Sequence, residues 1–217
     1  MPLPEFGPFA EVFARGQLAV PGHLELLGLH QPGSQVVIDR IQRALAHGPS
    51  QGWIDALFGD PNWRPHLVGA IALILDNRET LEPAGLWRAV DAGSWVLPQL
   101  LVSAYFVDPD FPARCRDRLR AGAPAAPPEG LSAVERHSAT GPGSALDRSA
   151  KLLASLTSVG RRVPSLRDWI DIECSRPELS RLISQDVDNA SQICDDWLEQ
   201  VVDQFQLRGV RLVPAAG

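Results

Sequence analysis

The sequence is poor in the residues on which recognisable chemistry is usually built. Its three cysteines, Cys115, Cys174 and Cys194, are too few and too far apart for a disulfide framework or a CxxC zinc pair. They read as buried or half-buried thiols in a reducing compartment. Of 20 basic residues only Lys151 is a lysine and 19 are arginine, a bias that points to a GC-rich bacterial genome rather than to chemistry. No apolar run approaches the roughly 18 residues a membrane span needs; Leu67 to Leu75 is about half that. The chain opens with prolines, Glu5 and Gly7 where a secretory leader would place basic and then apolar residues. These absences predict a cytoplasmic protein with no membrane partner.

Catalytic and metal motifs are missing too. No two of His23, His30, His47, His66 and His137 stand three or four apart, and there is no HExxH. No GxSxG elbow occurs. Gly141, Gly143 and Ser144 precede a helical pattern but lack the GK[ST] ending and the preceding strand of a phosphate cradle, so they read as a loop. Asp186 and Asp188 begin like a calcium loop, but Ala190 takes the next ligand position and no glycine follows. Asp168 and Asp171, one turn apart with Trp169, Ile170 and Ile172 interleaved, read as a solvated helix face. His66, in the first turn of an apolar helix, reads as a hydrogen-bonded core or capping histidine. The sequence predicts no catalytic residue, no metal and no cofactor.

What is present is helical punctuation. Hydrophobic residues make up 45% of the 217 residues, enough for a sizeable core. The pattern predicts a Pro/Gly-rich segment over 1–33 with one short helix, then a helical-hairpin domain over 34–122. Ser34, Asn62, Ser94 and Asp110 stand at N-cap positions, and Gly48, Gly59, Gly93 and Gly122 at stops. An Ala/Pro/Gly/Ser-rich linker is expected over 123–143. Helices over 144–217 are expected to pack back on the hairpins. Ser175 and Glu178 have the spacing of a capping box.

Two hairpins resemble each other. A shift of 32 residues brings Trp63 onto Trp95, Val68 onto Leu100, Ala72 onto Ala104 and Asp76 onto Asp108. A shift of 29 brings Pro83, Ala84, Ala92 and Gly93 onto Pro112, Ala113, Ala121 and Gly122. On these residues the segment 60–122 resembles the HEAT-like α-solenoid family, although the units are shorter than that family's norm. The resemblance implies an all-α stack of helical hairpins, Trp63 and Trp95 at equivalent buried places, and a protein-binding scaffold.

Net charge is −6, which argues against a nucleic-acid partner. The charge is segregated: residues 165–203 hold ten acids against three bases. Val187, Ala190, Ile193, Cys194, Trp197, Leu198, Val201, Val202 and Phe205 form an apolar stripe on one predicted helix. Opposite it stand Asp188, Asp195, Asp196, Glu199 and Asp203, with no Lys or Arg between Asp186 and Gln206. Like charges at this spacing destabilise a helix unless something basic offsets them. That is either an internal arginine set, Arg114, Arg116, Arg118, Arg120, Arg161 and Arg162, or a basic protein partner, as an immunity- or antitoxin-like binder would have. These five acids are therefore the candidate partner-binding residues. Two alternatives are an enzyme with a site between the two helical regions using Asp168, Asp171 or His66, and a small-molecule-binding bundle using Trp53, Trp63, Trp87 and Trp95.

Overall fold

The computed structural model describes residues 4–14, 16, 18, 20–48, 51–76, 81–121 and 145–212. The expected linker over 123–143, with His137 and the Gly141/Gly143/Ser144 loop, lies outside them. The described chain is all-α. A 3-10 segment, Pro4–Phe13, leads to α1 (Gly22–Glu25), α2 (Ser34–Ala46), α3 (Gln51–Gly59), α4 (Trp63–Leu75), α5 (Ala84–Asp91), α6 (Leu97–Val107) and α7 (Phe111–Ala121). Then come α8 (Ala145–Gly160), α9 (Pro164–Cys174), α10 (Pro177–Ile183), a 3-10 turn Val187–Asn189, and α11 (Ala190–Gln206). No helix among the described residues is long and apolar enough to cross a membrane.

Helix α4 is the centre. Every residue from Pro65 to Leu75 is buried, because α1, α2, α3, α5 and α6 all pack against it. A helix apolar all round must be covered all round. Packing is closest at Gly69, where the Phe58 ring of α3 lies so near that a Cβ would meet its Cζ at 2.9 Å. Helices α2, α4, α6 and α8 lie side by side in chain order, and α3 and α5 form a second layer against them. Helix α11 lies across α6 and α8 and buries Ala190, Cys194, Trp197, Val201 and Phe205, the centre of the stripe legible in the sequence. Trp197 Nε1 donates to the Leu26 carbonyl at 3.2 Å, tying α11 to the turn after α1.

Several local expectations are corrected. The Pro/Gly-rich first 33 residues also contribute to the core, through Phe6, Phe9, Val12, Leu26 and Leu29. A kink at Gly7, φ 50°, divides this segment, and Phe9 and Val12 stand three apart on the 3-10 turn that follows it. Asn62 does cap α4, accepting from the Arg64 N–H. Ser34 and Ser175 instead donate to carbonyls behind them, and α10 begins at Pro177 with no side-chain cap, so no capping box forms. The last helix does not run straight through from Val187. Asp186, Asp188 and Asn189 adopt left-handed φ values of 34°, 58° and 52°, and the α-helix starts only at Ala190. Short side chains such as Asp and Asn tolerate that region best.

Candidate functional site

The five sequence-derived acids divide into two groups. Asp188 lies ahead of α11, not on it, and pairs with Lys151 at 2.9 Å. Asp195 pairs with Arg162 at 2.7 Å and accepts from Ser158 Oγ at 3.1 Å. Asp196, Glu199 and Asp203 stay on the solvent side of α11. Asp196 accepts from its helix neighbour Gln192, and Asp203 faces the exposed ring of His30 at 3.6 Å. Among the described residues none of these three has a Lys or Arg partner.

Most of the expected internal arginines go elsewhere. Arg114 pairs with Asp108, and Arg118 grips Asp91 with two hydrogen bonds of 2.9 and 2.7 Å. Arg116 reaches the Ser165 carbonyl, Arg120 lies over the Trp169 ring, and Arg161 pairs with Asp171. Only Arg162 serves the acidic helix; Lys151, which supplies the other cation, was missed. Its rarity was the available signal: a buried lysine in an arginine chain occupies a place suited to a compact ammonium.

A second feature joins residues from both hairpins. Trp63 opens α4, and Trp95 stands two residues before α6; their ring centroids are 4.9 Å apart and tilted by 45°. They border an open cleft of about 410 Å³, also lined by Phe58, His66, Arg88 and Ser94. Gly93 places Ser94. With φ +77° it ends α5 in a reversed turn: the Gly93 N–H donates to Val90 O and the Ser94 N–H to Ala89 O, a Schellman arrangement. The Ser94 hydroxyl is thereby turned from capping α6 toward Nδ1 of His66, 2.8 Å away. On the other side of the ring, Nε2 lies 2.8 Å from the Asp60 carbonyl. A carbonyl only accepts, so Nε2 carries the proton and Nδ1 receives the Ser94 hydroxyl. Burial lowers the His66 pKa, against the raising effects of the Asp60 carbonyl and carboxylate, so the ring is neutral near pH 7.

Asp168 and Asp171 do not join His66. Both are exposed on α9 and neither lines the cleft, so the convergence required of an enzyme site between the helical regions is not met. Of the four tryptophans weighed for ligand binding, only Trp63 and Trp95 reach the cleft. Trp87 is buried, with its indole N–H on Asp108, and Trp53 packs at Gly7. The equivalence of Trp63 and Trp95 in burial fails: Trp63 is half-buried and Trp95 is 56% exposed. No group of three His, Cys, Asp or Glu side chains among the described residues could hold a metal ion. Comparison with protein-family models, curated proteins and solved structures returned no match.

Proposed function

We propose that this chain is a protein-interaction module, a short HEAT-like stack of helical hairpins whose own C-terminal helix covers one side and presents charge outward. The repeat reading is supported by the parallel neighbours α4 and α6. Each starts beside a tryptophan of the pair and ends at an aspartate, Asp76 or Asp108, whose carboxylate accepts an N–H from the next loop. The observation that carries the binding reading is the outward row Asp196, Glu199 and Asp203. Three carboxylates that have no Lys or Arg partner among the described residues repel one another on one helix, and a basic protein surface would relieve that repulsion. Asp188 and Asp195 drop out of the docking set, since Lys151 and Arg162 already neutralise them.

The partner is a basic protein, in the manner of an immunity- or antitoxin-like binder. The test is capture from the native host with the full chain and with a variant carrying Asp196→Asn, Glu199→Gln and Asp203→Asn. A partner lost by the variant, and lost by the wild type as salt is raised to about 0.5 M, supports the reading. A partner retained equally by both would remove the acidic row from it.

A further inference from the structure

The hydroxyl of Ser94 and the imidazole of His66 meet in the wall of the open cleft of about 410 Å³, brought together from 28 residues apart. Their arrangement is one that activates an alcohol. Ser94 Oγ lies 2.8 Å from Nδ1 of His66, and Nε2 on the far side of the ring lies 2.8 Å from the Asp60 carbonyl. Because the carbonyl fixes the tautomer, the lone pair of Nδ1 is the acceptor for the hydroxyl proton. In a nucleophile–base–orienter triad the third group does this same work. Here a backbone oxygen does it. A serine spent on capping α6 would have accepted from that helix's first N–H groups. Ser94 is turned away from them, and the N–H groups of Trp95 and Val96 donate to nothing among the described residues.

The electrostatics suit a base. Burial holds the His66 pKa below its ordinary value, so the ring is neutral and able to take a proton near pH 7. The Asp60 carboxylate acts in the opposite direction. It accepts the Asn62 N–H and has no Lys or Arg partner among the described residues. Its charge would stabilise the imidazolium formed when the hydroxyl proton arrives, as the acid of a triad does. The substrate's charge follows from the same groups. Arg88, the cation lining the cleft, is already paired with Asp55, whereas the Asp60 carboxylate is not neutralised. An anionic substrate would meet repulsion there without a free cation to offset it. Phe58, Trp63 and Trp95 supply apolar wall for the rest of the molecule. The Trp95 and Val96 N–H groups are the next donors in the chain after Ser94, where an oxyanion formed on its acyl group would need them.

We propose that Ser94 is a nucleophile with His66 as its general base, and that this cleft hydrolyses uncharged or cationic carboxylic esters. Ser94 Oγ bonds to the acyl carbon as its proton passes to Nδ1 of His66, and the carbonyl electron pair moves onto oxygen. Return of that pair breaks the bond to the alcohol, which leaves with the proton from His66. Water then attacks the acyl-serine, giving a proton to His66. The acid departs as Ser94 Oγ takes that proton back, so the enzyme is restored and one water is consumed. The site is independent of the acidic row on α11, so either proposal can fail without the other.

The test treats the full chain with an uncharged alkyl fluorophosphonate, which bonds to an activated serine with loss of fluoride, and locates the adduct by peptide mass. The expected result is an adduct on Ser94 in the native chain and none there in the urea-unfolded chain or in Ser94→Ala. His66→Gln should label roughly 100-fold more slowly. Circular dichroism shows whether each variant folds, and the comparison of native with unfolded wild type decides the matter without either. Hydrolysis of 4-methylumbelliferyl acetate should fall in the same order. It should also exceed hydrolysis of the anionic hemisuccinate of the same alcohol by roughly ten-fold. No adduct on Ser94, equal labelling of native and unfolded chains, or unchanged labelling in a folded His66→Gln would overturn the assignment. Equal hydrolysis of the two esters would overturn the substrate class.

Discussion

Lys151 and Asp188 form an ion pair of 2.9 Å across the junction between α8 and the turn that leads into α11. The two ends differ in burial, with side-chain exposures of 11% and 58%. Their removal should therefore cost different amounts. Lys151→Met leaves the Trp95 carbonyl without its donor and Asp188 without its cation, and should destabilise by about 1–3 kcal/mol. Asp188→Asn keeps a residue suited to its left-handed φ and loses only a largely solvated charge, so it should cost under about 1 kcal/mol. Urea unfolding of both variants decides this; equal losses would show that the ion pair, and not the bond to Trp95, is what Lys151 supplies.

Docking of α11 is tested by two neighbouring positions. Phe205 is fully buried and Leu207 is 83% exposed. Phe205→Ala should cost about 3–5 kcal/mol, and Leu207→Ala less than about 0.5 kcal/mol. Trp95→Ala belongs near the lower end of that scale because its ring is more than half in solvent. A midpoint for Phe205→Ala close to wild type in urea would mean that α11 is not held as described.

Stability should fall between pH 6.5 and pH 4 through His23. Burial, with the Arg64 guanidinium as a second cause, lowers its pKa from 6.5 to about 4. The unfolded chain thus binds a proton at a pH where the folded chain does not. The contribution is complete above about pH 6.5 and is lost as pH drops toward about 4. Its size is on the order of 3 kcal/mol. His66 shifts in the same direction and adds to the effect. Unfolding free energies measured across this range should fall less steeply for His23→Phe; parallel curves would refute the assignment.

The three thiols should react unequally. Burial pushes the Cys115 and Cys194 pKa values up to about 12, and both side chains are inaccessible. Cys174 is half-buried and touches Thr157. A thiol reagent at pH 8 should modify one cysteine quickly in the native chain and all three in denaturant. Rapid native modification of Cys194 would show that α11 opens readily from α6 and α8.

Local pattern alone determined much of this protein. The apolar run of α4, the Asn62 cap, the Cys194–Trp197–Val201–Phe205 stripe and the matched tryptophans Trp63 and Trp95 are all legible as periodicity, because the spacing of apolar residues dictates which face a helix must bury. The segregation of acid into the C-terminal third is equally a property of the chain. Tertiary structure decided which charges remain free. Lys151 meets Asp188 from 37 residues away and Arg162 meets Asp195 from 33, so the acidic row shrank from five residues to three. It also decided that Ser94 serves His66, 28 residues back, and not its own helix. The left-handed turn at Asp186, Asp188 and Asn189 and the exposure of Trp95 were likewise beyond local reading. Helical periodicity is set by neighbours within two turns, whereas ion pairs, hydroxyl partners and the covering of a ring depend on which distant element arrives, and only packing fixes that.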